Sequence, residues 1–363
     1  MNPLQIIVKD ICNKIKISPS IDIVSLETGS DRLEKILNQE IKNHNVECRL
    51  RLQGEFFGNG PLDHLIDDED VTEIIINSWK DIWYEKGGKF FESQDTFLSQ
   101  TTYHNYVHRL CKMLKAQLTF DQPFLCITQE NFRYHIVSPS ISGEDFTLSI
   151  RKHRKKRWSM NDLLEKKSLT ASQFKFILGL MKDRKNFLVI GATGTGKTTF
   201  LNCCLKLLNA DDRTVIIEDT SELVIPNGVS TKLLTRKDSH GLLSPIDLTI
   251  LIREALRMRP DRLVLGEVRG PEAKDLLLAL STGHEGSIGT LHAVSAQEAL
   301  IRLEMLIQLG APQWSLEAIR RLIYFSLHYI ICIERDEHGQ RSVKNIHKIS
   351  GLESFGFLLE NIL

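Results

Sequence analysis

One eight-residue segment, Gly191–Thr198, decides which folds are open to this chain. It reads Gly-Ala-Thr-Gly-Thr-Gly-Lys-Thr, which has the residue types and spacing of a phosphate-binding loop. The apolar run Phe187–Ile190 precedes it and helix-forming sequence follows, which is the strand–loop–helix context that such a loop requires. A chance glycine-rich turn with a lysine is the alternative, and these flanks argue against it. The segment therefore predicts a P-loop nucleotide-binding domain.

Each residue type in this loop has a physical task. Glycine permits the backbone angles that turn amide N–H groups inward, and these amides form an anion nest with the N-terminus of the next helix. Lys197 adds a positive charge at the outer phosphates, and the Thr198 hydroxyl can ligate magnesium. We therefore expect ATP and Mg²⁺ as cofactors. The predicted nucleotide contacts are Gly191, Ala192, Thr193, Gly194, Thr195, Gly196, Lys197, Thr198 and Thr199.

Hydrolysis also requires a held metal and a polarised water. Two apolar strands run into acidic residues: Val215–Ile217 is followed by Glu218 and Asp219, and Leu263–Leu265 leads to Glu267. Ligands of open α/β sheets collect at the carboxyl ends of the strands. Glu218 is predicted to orient or activate the attacking water, and Glu267 to hold magnesium directly or through water, with Asp219 as a further metal candidate. Helix caps and loop charges are the alternative interpretation.

Two histidines, His284 and His292, bracket the predicted strand 287–291. Either histidine is a candidate sensor of the terminal phosphate. A lone histidine more often has a structural role, and the spacing leaves both interpretations open.

The remaining pattern divides the chain into four regions. Residues 1–53 form a helical lead-in with Ile6, Ile7, Ile11 and Ile15 near one face. Residues 54–150 form an α+β domain with a mainly antiparallel sheet, residues 151–159 a basic linker, and residues 160–363 the ATPase domain. In the last region short apolar strands alternate with helices, which predicts an α/β fold with a parallel-rich sheet.

Composition limits the classes of partner and compartment. Lys and Arg total 46, as do Asp and Glu, so the net charge gives no support for a general nucleic-acid binder. The basic run 151–157 remains open as a solvated linker, a phosphate contact or a nucleic-acid contact.

No apolar run is long enough to cross a membrane and no secretory h-region is present, which predicts a cytoplasmic protein. Seven scattered cysteines without a CxxC pair predict reduced thiols rather than a metal site.

Four boxes in a fixed order resemble those of the secretion ATPases of type II and type IV systems. The resemblance is strongest to the tight-adherence pilus branch, the TadA/CpaF-like ATPases, and covers roughly residues 54–355. The matching segments are Gly191–Thr199 (Walker A), Ile217–Leu223 (Asp box), Leu256–Gly270 (Walker B region) and Thr282–Ala293 (His box).

The resemblance implies a RecA-like ATPase domain that assembles as a homohexamer at the cytoplasmic face of the inner membrane. It implies an inner-membrane platform protein as partner and ATP hydrolysis that powers pilus assembly or secretion. From the neutral net charge we expect no stable binding of nucleic acid. Nucleotide is expected between the two domains. Arginines at matching positions are expected around its phosphates: Arg133, Arg151, Arg236, Arg257 and Arg269.

One departure from the family pattern motivates a second hypothesis. The family usually carries an Asp-Ala-Arg triplet where this chain has Phe124–Thr128, which contains no arginine. A nucleotide-binding scaffold with weak hydrolysis is therefore an alternative. A RecA-like nucleic-acid motor, motivated by the basic run 151–157, is a third possibility.

Overall fold

The computed structural model describes residues 3–15, 37–42, 44–152, 158–236, 244–353 and 356–363. The chain forms two compact units, Met1–Lys155 and Lys156–Leu363. The division between them falls within the stretch that the sequence predicts as a linker. Most of the basic run, residues 153–157, lies outside the described residues, so the interpretations of its charges stay predictions.

The first unit is built around a six-stranded sheet. Its strands are β1 (Val71–Ser78), β2 (Asp81–Lys86), β3 (Lys89–Glu92), β4 (Phe124–Gln129), β5 (Phe132–Val137) and β6 (Thr147–Lys152). They are arranged in the order β3-β2-β1-β6-β5-β4, and all neighbours are antiparallel. Gly87 and Gly88 have φ values of 60° and 82° and form the predicted hairpin turn, because a two-residue type I′ turn requires positive φ at both positions.

The helices of the first unit do not follow the predicted boundary at residue 53. They are α1 (Pro3–Ile15), α2 (Val46–Phe57), α3 (Asp63–Asp67), α4 (Gln100–Met113) and α5 (Pro139–Ser142). Helix α2 runs across that boundary, and buried Glu55 accepts a hydrogen bond of 2.7 Å from the backbone N–H of Leu98. On α1, Val8 and Ile11 are buried whereas Ile6 is 49% exposed, so Ile6 is not on the buried face. The lead-in therefore shares a core with the α+β region.

The second unit is a mixed eight-stranded sheet covered by helices. Its strands are β7 (Phe187–Gly191), β8 (Thr214–Glu218), β9 (Thr231–Leu234), β10 (Arg262–Val268), β11 (Ile288–His292), β12 (Tyr329–Arg335), β13 (Arg341–Glu353) and β14 (Gly356–Asn361). The strand order is β14-β13-β12-β7-β11-β10-β8-β9. The six strands from β12 to β9 are parallel, and β13 and β14 add an antiparallel edge. The predicted α/β class is confirmed.

Hydrophobic clusters lie on both faces of this sheet, which explains why β7 and β8 are buried along their whole length. The covering helices are α6 (Met160–Glu165), α7 (Ala171–Lys182), α8 (Lys197–Leu205), α9 (Leu248–Ala255), α10 (Glu272–Ser281), α11 (Ala296–Gly310) and α12 (Leu316–Ser326). Thr170 and Gln173 form the predicted capping box at the start of α7.

Among the described residues, no helix combines the length and apolar character that a membrane crossing requires. All seven cysteines are free thiols.

Candidate functional site

The phosphate-binding loop connects the end of β7 to the start of α8 at the carboxyl edge of the parallel strands. Gly194 and Gly196 have φ values of +76° and +96°, which L side chains rarely adopt. A Cβ on Gly191 would lie 2.4 Å from the carbonyl oxygen of Ile333 on the neighbouring strand β12. The loop therefore needs glycine at these three positions, for backbone angle in two cases and for space in the third.

Lys197 lies over the backbone of its own loop. Its Nζ donates to the carbonyl oxygens of Gly191 at 2.9 Å and Ala192 at 3.0 Å. Thr195 Oγ1 also donates to Ala192 O, at 2.9 Å. Thr198 is half-buried at the start of α8. The ammonium group is thus already held at the loop, where the phosphates of a nucleotide would compete with the carbonyls for it.

Glu218, at the end of β8, is buried with only 3% of its surface exposed. Its Oε1 accepts hydrogen bonds from the backbone N–H groups of Leu223 (2.9 Å) and Glu222 (3.1 Å). Its Oε2 lies 3.2 Å from Lys232 Nζ. Burial raises the pKa of the Glu218 carboxyl, while the Lys232 ammonium and the two amides act in the opposite direction. The carboxyl group is therefore held in one orientation in a poorly hydrated position.

Lys232 was not found by the sequence analysis. It lies on β9, its side chain is 14% exposed, and its Nζ also donates to Ser221 Oγ at 2.8 Å and to the carbonyl oxygen of Leu223. A single lysine in a short edge strand has no motif, so only the parallel pairing of β8 with β9 reveals this contact.

Acidic and basic groups from β8 and β10 form one charged cluster. Glu267 Oε2 lies 2.5 Å from Arg269 Nη2. The hydrogen bond to Glu267, together with the charges of Asp219 and Glu222, raises the pKa of the Arg269 guanidinium. Asp219 is exposed and accepts a 3.1 Å hydrogen bond from Thr235 Oγ1. The structure thus brings Glu218, Asp219, Glu267 and Arg269 to the same edge of the sheet as the loop.

The two histidines lie at opposite edges of the sheet. Strand β11 is parallel to β7 with His292 opposite Gly191, and His292 Nδ1 lies 3.5 Å from Thr193 Oγ1. His284 precedes β11, and its Nδ1 is 3.1 Å from the carbonyl oxygen of Ala279 at the end of α10. Only His292 therefore lies beside the loop of its own chain, because the two ends of one strand reach opposite edges.

The predicted arginines are divided among three locations. Arg236 follows β9 at the carboxyl edge, where its Nη2 donates to Ser244 O at 3.1 Å. Arg257 precedes β10 at the opposite edge, is 75% exposed, and lies 3.7 Å from Glu254. The structure does not bring Arg257 to the phosphate loop of its own chain, because the short 3-10 helix after α9 that carries it lies at the amino ends of the strands.

Arg133 and Arg151 belong to the first unit. They are direct cross-strand partners on β5 and β6, and Glu73 of β1 is the other partner of Arg151. Arg133 Nε donates to Cys126 Sγ at 3.4 Å. The structure thus brings these two predicted phosphate ligands together within one sheet.

Two further arginines, Arg335 and Arg341, lie against the loop and were also missed. Arg341 Nε donates to the carbonyl oxygen of Gly194 at 2.8 Å. No local motif marks these two arginines, because the position of β12 beside β7 depends on tertiary packing.

A magnesium site here would draw on few protein ligands. Within the ranges that the structure describes, no group of three or more His, Cys, Asp or Glu residues could hold a metal. Magnesium bound to a nucleotide needs only one or two protein oxygens beside phosphates and water. The Thr198 hydroxyl and the carboxylates of Glu267 and Asp219 are oxygen donors that fit this requirement.

A glycine-rich loop with its lysine at the carboxyl edge of a parallel sheet, beside strand ends that carry carboxylates, defines the class of P-loop nucleotide hydrolases. Residues 57–336 match the family model described as type II/IV secretion system protein. The chain belongs to this family, and it is an ATPase.

Relatives of known description are similar over most of the chain. The conjugal transfer protein TrbB of Rhizobium radiobacter is 30% identical over 290 residues, covering 78% of this chain and 85% of TrbB. The type IV secretion system protein PtlH of Bordetella pertussis is 28% identical over 312 residues, covering 78% of this chain and 92% of PtlH. The structure of the Legionella pneumophila ATPase DotB, at 18% identity, has a TM-score of 0.57 over 79% of this chain and 78% of DotB, which shows a shared fold.

Proposed function

We propose that this chain is a hexameric motor ATPase that hydrolyses ATP with Mg²⁺ to power a type IV secretion or pilus machine. The observation that carries the proposal is the order of groups along one sheet edge. The phosphate loop follows β7, His292 ends β11, Glu267 lies on β10 and Glu218 ends β8, and these four strands are consecutive neighbours. This order supports a RecA-like arrangement, in which strand ends beside the loop supply the catalytic groups.

In this proposal the chain's own residues divide the chemistry. The loop amides and Lys197 bind the phosphates, and Glu218 orients the attacking water and accepts its proton. A carboxyl whose pKa is raised by burial is a stronger base than an exposed one, which suits this role. His292 lies beside the loop at Thr193, where it can respond to the terminal phosphate. Magnesium held at Thr198 and Glu267, with Asp219 nearby, would neutralise charge on the phosphates.

Arginines would complete the positive charge around the transition state. Arg133 and Arg151 are opposite one another on adjacent strands, where like charges repel, and Glu73 opposite Arg151 offsets part of this repulsion. We propose that they and Arg236 contact phosphates in the assembled ring, with Arg269 released from Glu267 to join them. Arg257 and His284 are not part of the proposed site of their own chain.

Turnover by substituted proteins tests the catalytic assignment. Lys197→Ala, Glu218→Gln and Glu267→Gln should each lower steady-state ATP hydrolysis by about a hundredfold or more, because each removes a group that acts on the phosphates or the water. Glu317→Gln is the matched control, since this glutamate is 72% exposed on α12 beside Arg321. Equal hydrolysis in all proteins would contradict the proposal. Slow turnover by the unmodified protein, with ATP still bound tightly, would favour the scaffold alternative.

The two histidines form an internal comparison. His292→Asn should lower turnover at least tenfold, because His292 lies beside the loop. His284→Asn should leave nucleotide affinity unchanged, because His284 lies at the other edge of the sheet. Loss of ADP affinity in His284→Asn alone would contradict the assignment.

Sedimentation velocity tests the ring. A species with six times the mass of the chain, promoted by ATP in Glu267→Gln, is expected. A monomer at all concentrations and nucleotide states would contradict a hexamer.

The identity of the machine has two candidates. The names of TrbB and PtlH support conjugal transfer or type IV secretion, whereas the order of sequence boxes favours a tight-adherence pilus. In both cases we propose that the ATPase acts at the cytoplasmic face of the inner membrane through a platform protein. Deleting the gene, and then counting surface pili by electron microscopy and measuring conjugal transfer, separates the candidates. Turnover that rises with DNA and falls with salt would instead favour a nucleic-acid motor.

A further inference from the structure

The flank of the phosphate loop opposite His292 carries a pair of arginines with no role in the site described above. Strand β12 lies beside β7 with Cys332 opposite Ile190, so its last residues extend along the loop beyond the end of β7. Strand β13 returns antiparallel, and its first residue, Arg341, is the direct partner of Arg335, the last residue of β12. Both arginines therefore lie at the turn end of one hairpin, level with the loop.

Both side chains lie beside the two loop glycines that have positive φ. Arg341 Nε donates to the Gly194 carbonyl at 2.8 Å, and Arg341 Cδ lies 3.2 Å from the position of a Cβ on Gly196. Arg335 Nη1 lies 3.8 Å from the corresponding position on Gly194. A guanidinium held through Nε has its plane fixed, and its two terminal amino groups then point in set directions.

The local charges favour an anion at this place. Two cationic side chains directly opposite one another across antiparallel strands repel. Within the same hairpin, Glu334 pairs with Lys344 at 2.6 Å. A phosphate group between the guanidinium groups would offset the repulsion through charge-assisted hydrogen bonds.

We propose that Arg335 and Arg341 bind the nucleotide through phosphate oxygens of the diphosphate portion that ATP and ADP share. This inference rests on the proposed ATPase site and assigns it a second, opposite wall. The order β12-β7-β11-β10-β8 puts the hairpin on one flank of the loop, and His292, Glu267 and Glu218 on the other. Since those three groups act on the terminal phosphate, the arginine pair contacts the part of the phosphate chain that remains after hydrolysis. Their loss should therefore weaken ADP and ATP binding alike.

Equilibrium titration of the full chain with a fluorescent ADP analogue tests the pair. Arg335→Gln and Arg341→Gln should each raise the Kd for ADP and the KM for ATP by about tenfold, with kcat changed by no more than about twofold. Competition by inorganic pyrophosphate should weaken in parallel. Arg341→Lys, which keeps the charge without the guanidinium fork, should have a smaller effect than Arg341→Gln. Lys344→Gln is the matched control, because it removes one positive charge from the same hairpin at Glu334.

Several results would overturn the inference. An unchanged Kd for ADP in both glutamine variants excludes the contact. If the Kd for ADP rises while competition by pyrophosphate is unaltered, the arginines contact the nucleoside and not the phosphates, which contradicts the inference. Equal effects of Arg341→Lys and Arg341→Gln, with none from Arg335→Gln, mean that Arg341 only supports the loop backbone. Lys197→Ala distinguishes failure of this inference from failure of the proposed function. If Lys197→Ala abolishes ADP binding while both arginine variants bind ADP with unchanged Kd, this inference fails and the proposed function stands. Absence of nucleotide binding by the unmodified chain overturns both.

Discussion

The side chain of Glu218 lies across the backbone of Gly266, with Cγ 2.9 Å from the position that a Cβ would occupy there. The two residues lie on neighbouring parallel strands, each one step beyond the paired residues Ile217 and Leu265. The glycine before Glu267 thus makes room for the carboxylate of the adjacent strand.

Substitution of this glycine should displace the base without touching the phosphate loop. In Gly266→Ala the new methyl group meets Glu218, so we expect kcat to fall at least tenfold while the Kd for ADP stays within about twofold. Steady-state kinetics and ADP titration measure the two quantities. Gly228→Ala is the control, because nothing lies within 4 Å of its added Cβ. Unaltered kcat in Gly266→Ala would show that the position of Glu218 is not critical.

Removal of Lys232 should change the pH dependence of hydrolysis. Burial raises the pKa of Glu218 and the Lys232 ammonium opposes this effect, so Lys232→Met should raise that pKa further. The acid limb of the pH profile of kcat should therefore move to higher pH, and kcat should recover as the pH is increased. Lys232→Arg should retain most activity, and Lys182→Met at the exposed end of α7 serves as control. A pH profile identical to that of the unmodified protein would contradict this coupling.

Stability should fall in mild acid partly because of His328. Its Nδ1 accepts the backbone N–H of Asn186 at 3.1 Å, and burial together with Lys185 lowers its pKa, with Glu285 opposing. The folded state therefore binds fewer protons than the unfolded state below about pH 6.5, and the free energy of unfolding decreases as the pH falls through that value.

Urea unfolding at several pH values measures this effect. His328→Asn should show a smaller loss of stability between neutral pH and mild acid than the unmodified protein. His338→Asn should not change the slope, since His338 is 83% exposed. Equal slopes in all three proteins would exclude His328 as a contributor.

The amino edge of the sheet is stabilised by a buried charge network. Arg262 is 2% exposed, pairs with Asp212 at 3.2 Å, and donates to the carbonyl oxygens of Met181 (2.9 Å) and Gly286 (3.1 Å). Arg262→Met leaves these acceptors with fewer donors and should lower the free energy of unfolding by about 3 kcal/mol. Differential scanning calorimetry should show a Tm lower by on the order of 5–10 °C.

The exposed pair of Arg321 and Glu317 provides the comparison. Arg321→Met should change stability by less than about 1 kcal/mol, because the arginine is 65% exposed. If Arg262→Met and Arg321→Met have the same Tm, the buried network is not a main source of stability.

Local sequence was sufficient for the strands that surround the loop and for the hairpin at Gly87. A pattern of about a dozen residues predicts the strand Phe187–Ile190 and the loop that follows it. The capping box at Thr170 is likewise predicted from neighbouring residues alone. The placement of β12 beside β7 could not be predicted in this way, because strand order depends on tertiary packing. The same limit explains why Lys232, Arg335 and Arg341 were missed.

The histidines illustrate how strand direction decides function. Their spacing predicts that both flank one strand, but it does not say which end lies at the phosphates. The parallel pairing of β11 with β7 brings His292 to Gly191 and takes His284 to the far edge. Helix α2 shows a similar limit, because the composition change near residue 53 falls inside a continuous helix.

Strand β13 has a mechanical consequence. Its thirteen residues extend about 40 Å, from Arg341 at the phosphate loop to Glu353 at the opposite end of the sheet. Its residues 341–348 pair with β12 and its residues 347–353 pair with β14, so each part of the strand has a hydrogen-bonded neighbour. We expect a shift of the hairpin to move the distant end of the strand as well. The strand that borders the phosphate loop thus also reaches the far end of the sheet. We therefore expect a force applied at that end to alter the rate of ATP hydrolysis.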